Sequence, residues 1–261
     1  MYKKFTIALY LTILTCLSCF GQVESPVIPF IQHASSSEQE HVVLELQEEI
    51  NSYSQLLNKS KDQSRFIKRL FYKIQRDHLF DYTHNAQLDE IFIGQKEYDC
   101  VTGTALYALV LNSLNIDFSI KETDFHVYLL VHLPGKDILL EPTDPIYGFI
   151  DNPIVISDRI RTYRNGEAFG SSENGLSVNS KSNSFHISFY RDRVISLQQL
   201  AGLQYYNLST HAFNNGNHEG AIELIEIALS LYPNDRFSGF RDILLVDMSQ
   251  SMSTNYSPDQ E

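Results

Sequence analysis

Cys100, His126 and Glu141 supply, in chain order, the side chains of a nucleophile, a base and an orienting acid. A cysteine attacks as its thiolate, and at an ordinary pKa of about 8.5 only a few per cent is in that form at neutral pH. The partial positive charge of a helix N-terminus and a neighbouring imidazolium both favour the thiolate. The imidazole in turn needs a carboxylate or amide to fix its tautomer. The other cysteines, Cys16 and Cys19, fall in an apolar leader-like stretch, so Cys100 would be the single thiol of the processed chain. A single thiol cannot close an internal disulfide and is open to oxidation outside the cell. On the residues alone, a nucleophile and a small buried apolar cysteine both stay open.

The elements around these residues can be read from pattern. Asp99 is a cap for a helix that runs from Cys100 to Leu114 and is apolar on nearly all sides, as a buried helix is. Phe125 to Leu133 reads as a strand, Pro134 to Asp137 as a turn and Ile138 to Thr143 as the return strand, with Ile116 to Lys121 a third antiparallel strand. Side chains alternate with period two, so a hairpin loop of two or four residues puts Glu141 on the face of His126 and Asp144 on the other. A three-residue loop would reverse the choice in favour of Asp144. For an oxyanion the backbone N–H of Cys100 is the default donor, and Gln95 and Tyr98 are side-chain candidates.

Three blocks together resemble the bacterial transglutaminase-like superfamily: Tyr98-Asp99-Cys100-Val101-Thr102-Gly103-Thr104, His126-Val127-Tyr128-Leu129-Leu130-Val131 and Leu140-Glu141-Pro142-Thr143. The resemblance covers residues 64–149. It implies a papain-like fold, with amide or acyl chemistry through a thioester at Cys100, His126 as base and Glu141 as orienter. The family usually has Asp where this chain has Glu141, and it includes members without demonstrated activity.

Outside these blocks, Val43, Leu46, Ile50, Tyr53 and Leu57 form one helical stripe over residues 38–57, and Phe66, Ile67, Leu70, Phe71 and Ile74 form another behind a cap at Ser64. Residues 23–37 read as an extended lead-in. Residues 200–234 hold a helix, a turn at Asn214-Asn215-Gly216-Asn217, a second helix and a closing Pro233, a layout that resembles one tetratricopeptide repeat of ~34 residues. Phe237, Phe240, Ile243, Leu244 and Met248 suit a capping helix. A single such hairpin cannot bury its own apolar face and must pack on the first domain or on another chain. The expected organisation is α+β: a leader over 1–22, a transglutaminase-like domain over 38–170, a linker over 171–199, the hairpin and its cap over 200–249, and a disordered tail over 250–261.

Lys3 and Lys4, the apolar run Phe5 to Leu14 and the small residues around Cys19 and Gly21 read as an export signal, with a lipid anchor on Cys19 as the rival. No later segment reaches the roughly 18 unbroken apolar residues of a membrane span. A hydrophobic content of 43% fits a folded chain, and a net charge of −12 with no block of Lys and Arg that stands out as a phosphate-binding surface argues against nucleic acid as a partner. His126 and His132 share a strand face but stand roughly 20 Å apart, and His186, His211 and His218 have no ligand spacing, so no metal or other cofactor is expected. Two functions compete. One is hydrolysis of an amide in a peptide or protein substrate. The other is an inactive scaffold that captures a protein partner on the helical hairpin.

Overall fold

The computed structural model describes residues 25–124, 126–164 and 193–254, and the leader-like segment and the Ser/Asn-rich loop of 171–184 lie outside the described residues. The fold is α+β. In chain order it contains a short α1 (Ile28–Ile31), α2 (Ser36–Lys59), α3 (Gln63–His78), β1 (Asp81–Tyr82), a short α4 (Glu90–Ile93), β2 (Glu97–Tyr98) and α5 (Cys100–Ser113). Then follow β3 (Phe118–Glu122), β4 (Val127–Leu133), β5 (Lys136–Leu140), β6 (Phe149–Ile150), α6 (Pro153–Arg164), β7 (Arg193–Ile195), α7 (Leu197–Asn214), α8 (His218–Leu231) and α9 (Asp235–Thr254).

The five longer-range strands form one antiparallel sheet in the order β6-β5-β4-β3-β7. Its two faces are set by the alternation along β4. Val127, Leu129 and Val131 face the main core with α5, whereas Tyr128 and Leu130 join Leu139, Ile150, Ile156 and Tyr163 beneath α6. The β4–β5 connection is a two-residue loop, Pro134-Gly135, with Leu133 paired to Lys136. Gly135 has φ of 81°, where a side chain would be strained. This is one of the two loop lengths that put His126 and Glu141 on one face.

Helix α5 forms as its sequence dictates, with eleven successive residues from Val101 to Leu111 buried. A helix without a polar face has no solvent side, and here it is surrounded by the sheet, α3 and α7. Tyr107, itself fully buried, donates its hydroxyl to the Phe71 carbonyl at 2.7 Å, so this buried polar atom in mid-helix is satisfied.

Several boundaries differ from those read in the sequence. Ser64 does not cap α3; Asp62 does, its carboxylate accepting from the N–H groups of Ser64 and Arg65 at 2.9 and 3.2 Å. The lead-in is not extended: Val27, Phe30 and Ile31 are fully buried, and the Phe30 carbonyl accepts from the Gln204 amide at 2.8 Å. The end of the stretch taken as a linker is instead an edge strand, β7, followed at once by α7, which a Ser196–Gln199 capping box starts. The segment taken as a disordered tail continues α9 to Thr254.

The helical hairpin α7–α8 does not stand apart. Leu200, Ala201, Leu203 and Tyr205 share one continuous core with α5. Glu122, 3% exposed at the end of β3, accepts from the Tyr232 hydroxyl at 2.8 Å and from Arg236 at 3.1 Å, which ties the sheet to the start of α9. The two hairpin helices touch closely at Gly202, where an added Cβ would lie 2.6 Å from the Tyr232 Cβ and 3.1 Å from the Ala228 carbonyl. Alanine gains about 1 kcal/mol over glycine in helix propensity, but a clash against backbone-proximal atoms costs about 1–3 kcal/mol, and the clash wins. Gly202→Ala is therefore expected to lower the urea midpoint with an unchanged slope. An unchanged or raised midpoint would show that the helices do not pack this closely.

Candidate active site

The site begins at the first turn of α5. Asp99 accepts from the N–H groups of Val101 and Thr102 at 2.9 and 2.8 Å, while the Thr102 hydroxyl accepts from the Asp99 N–H at 2.9 Å. This capping box satisfies two orphan donors of the first turn, the N–H groups of Val101 and Thr102, and fixes Cys100 as the first helical residue. The Gly103 N–H goes to the Asp99 carbonyl at 3.0 Å. No described residue accepts the N–H of Cys100, which leaves one donor of the turn free beside the sulfur. Cys100 is the free cysteine of the described residues and is half-buried. Burial, against hydrogen bonds from Thr102 and Val101, lifts the Asp99 carboxyl to about 6.

His126 enters from the start of β4. Its backbone is clamped to Thr123: the Thr123 N–H and hydroxyl donate to the His126 carbonyl at 2.8 and 3.1 Å, and the His126 N–H reaches the same hydroxyl at 3.1 Å. The ring Nε2 lies 2.6 Å from Oε2 of Glu141. The Cys100 side chain lies close enough to the ring to act on its charge.

Glu141, 2% exposed, follows directly on β5. Its Oε1 accepts from the Thr143 N–H at 3.0 Å and the Thr143 hydroxyl at 2.5 Å, and its Oε2 accepts from the Tyr163 hydroxyl at 2.5 Å as well as from His126. A buried carboxylate is costly unless it is paired and hydrogen-bonded, and this one is both. The charges act on each other as expected. Burial opposes the His126 cation, but the Glu141 carboxylate, Cys100 and the hydrogen bonds outweigh it and raise His126 to about 10. Burial likewise opposes the Glu141 anion, and His126, Thr143 and Tyr163 hold its carboxyl below the ordinary value.

The structure thus brings Cys100, His126 and Glu141 together. Asp144, the alternative acid, points elsewhere: it accepts from the Tyr147 N–H at 2.8 Å and faces Arg159 at 3.6 Å. Gln95 sits in an exposed loop, and Tyr98 is buried beneath the site with its ring 5.9 Å from that of Tyr82. His132 lies toward the hairpin turn, bonded to Ser119 and Asp137 at 2.7 and 2.8 Å. Among the described residues no group of three or more His, Cys, Asp or Glu is placed to hold a metal ion.

Three residues of the site were not singled out as functional in the sequence. Thr143 and Tyr163 hold Glu141, and the Tyr163 ring packs at 4.8 Å on His126 and 4.9 Å on Tyr128. Tyr82, half-exposed on β1, has its phenol raised by burial and by the charges of Cys100, Asp99 and Glu141. Nothing in the local sequence marks Tyr163, because its role depends on how α6 crosses the sheet. Tyr82 is placed by the parallel pairing of β1 with β2, two residues before Cys100.

Comparison with protein-family models, with curated proteins and with solved structures finds no match for the chain.

The paired shifts fix a pH dependence. His126 is raised from 6.5, so its contribution is complete below 6.5 and is lost as pH climbs toward about 10. Glu141 is lowered from 4.5, so its contribution is present above 4.5 and is lost on acidification through its lower folded value. Removing one charge of a buried pair costs about 3 kcal/mol. Glu141→Gln should accordingly cost most stability near pH 5.5 and progressively less toward pH 10, read by urea unfolding across that range. A penalty independent of pH would mean that the two groups are not paired as charges.

Proposed function

We propose that this chain is a cysteine hydrolase of the transglutaminase-like, papain-fold type, cleaving an amide of a peptide or protein through Cys100, His126 and Glu141. The observation that carries the reading is the 2.6 Å contact between Nε2 of His126 and Glu141, with Cys100, at a capped helix start, near enough to act on the charge of the same ring. Those are the mutual contacts that a nucleophile, its base and the orienting acid require.

His126 takes the thiol proton, and Sγ attacks the carbonyl carbon of the amide. The negative charge that gathers on the carbonyl oxygen meets the free N–H of Cys100. His126 then passes its proton to the nitrogen, the C–N bond breaks and the amine leaves, which gives a thioester on Cys100. Water adds to the thioester while His126 accepts its proton. Collapse breaks the C–S bond, releases the acid and returns the proton to sulfur. Glu141 stays ionised and holds the ring, and Thr143 and Tyr163 hold Glu141. An amine in place of water would give transfer instead. The helix–turn–helix of α7 and α8, with Gly216 at its turn and Tyr232-Pro233 at its end, supports a tetratricopeptide-type unit fused to the catalytic core. The leader-like first 22 residues support export.

Alkylation by iodoacetamide tests the core of this reading. Cys100 is expected to react at neutral pH at least about tenfold faster than free glutathione, and His126→Ala to bring it down to the level of a free thiol. In a chain lacking residues 1–22, Cys100→Ala should remove labelling altogether. Reaction no faster than glutathione, unchanged in His126→Ala, would end the enzyme reading. Tyr163→Phe, which loses one donor to Glu141 but keeps the ring, should lower turnover of a cleavable peptide roughly tenfold at neutral pH while leaving KM near its starting value. Equal loss in KM would instead assign Tyr163 to substrate binding.

A further inference from the structure

Charge is distributed unevenly along this acidic chain. Lys59, Lys61, Arg65, Lys68, Arg69, Lys73 and Arg76 fall within residues 59–76, where Asp62 is the single acid, and they make up seven of the 20 Lys and Arg of a chain of net charge −12. Only Lys68 and Arg69 are adjacent, so no basic block stands out in the sequence. The winding of α3 nevertheless places Lys68, Arg69, Tyr72, Lys73 and Arg76 on one outward face, since positions three and four apart are neighbours. With Leu56 of α2 they line a groove of about 500 Å³.

Part of that charge is already answered. Asp77 takes Lys73 at 2.6 Å and Arg76 at 2.8 Å, and Glu49 stands 4.0 Å from Lys73. Lys68 lies over the Phe149 ring at 5.5 Å, and Arg69 is exposed with no anionic partner among the described residues. Tyr72 and Leu56 add apolar surface that is 37% and 41% exposed. Tyr72 also donates to the Ile146 carbonyl at 3.0 Å, and Gln75 of the same helix donates to the Pro142 carbonyl at 2.7 Å, so the groove abuts the loop that follows Glu141.

We propose that this groove on α3 binds a short acidic segment of a polypeptide. The inference stands apart from the catalytic reading, although the shared loop would place such a segment next to the active site. The chemistry selects among anions. The apolar face of α3 is committed to the core through Phe66, Ile67, Leu70, Phe71 and Ile74, so the helix has no second apolar face to lay into a lipid surface. A nucleic acid would run its charge past the groove onto the surface of a −12 chain, where it is repelled. A short carboxylate-rich segment feels mainly the local cations, because charges beyond about 8 Å are screened at physiological salt. Leu56 and Tyr72 suit apolar side chains interspersed with its acids.

Fluorescence anisotropy of a short fluorescein-labelled Glu-Ser repeat peptide, titrated with the full chain at low salt, tests the surface directly. Wild type is expected to bind, with affinity falling as salt rises, and the matching Gln-Ser peptide is expected not to. Lys68→Glu combined with Arg69→Glu should weaken binding roughly tenfold, from two exposed charge contacts reversed. The milder Lys68→Gln with Arg69→Gln should weaken it several-fold and keeps the test open if the reversal perturbs the helix. Cys100→Ala should bind as wild type does, so that failure of the catalytic reading and failure of this one are seen separately. Equal binding of the Gln-Ser peptide, no binding by wild type, or unaltered binding by both double variants would overturn the proposal. So would complete displacement of the peptide by phosphatidylserine vesicles, which would assign the face to an anionic membrane.

Discussion

The buried carboxylate of Glu141 is the constraint on which the site depends. It stands at the end of one strand and draws hydrogen bonds from three separate pieces of chain: His126 ahead of β4, Thr143 in the loop beyond β5, and Tyr163 near the end of α6. An ion this deep is tolerable only if every lone pair is used, so the folded chain holds all of these donors in place together. The same demand that makes the carboxylate affordable orients the imidazole. Stability and positioning are here one set of contacts.

The second constraint is the direction of α5. Its all-round apolar surface gives it one place in the molecule, the centre, and the capping box at Asp99 and Thr102 decides where it begins. The Thr104 hydroxyl, one turn further on, donates to the Val127 carbonyl at 3.3 Å and fastens the helix to the strand that His126 precedes. Burial of the C-terminal hairpin against the far side of α5 completes the enclosure. Gln204 shows how closely the parts are joined, since its side chain bonds both the Leu88 N–H and the Phe30 carbonyl, at 3.2 and 2.8 Å.

What was readable in the sequence follows the range of the forces involved. The cap at Asp99, the buried helix after it and the common face of His126 and Glu141 are set by residues close in sequence, through capping chemistry and the period of a strand. The tight Pro134-Gly135 loop then fixed a register that the period alone left between two acids. Tyr163, the burial of Phe30 and the strand at Arg193–Ile195 are products of tertiary packing, and a three-residue strand after a long polar stretch carries no pattern of its own. Asp62 displaced Ser64 as the cap of α3 because both are good capping residues and only the chain path chooses between them. The cations of α3 are spread along the chain and gather only through the winding of the helix, which makes neighbours of positions three and four apart.

Asp99 has a further electrostatic consequence. The anion that starts the helix is also a like charge one residue from the sulfur, and it sits where the helix dipole would otherwise help an anion most. The dipole's assistance to Cys100 is thus partly spent on its own cap. Any negative charge that develops on the sulfur or on a bound carbonyl must lean on the imidazolium instead, with Glu141 as its distant counterweight. The site is an alternating row of charges, minus at Asp99, plus at His126 and minus at Glu141, whose middle member carries its one positive sign.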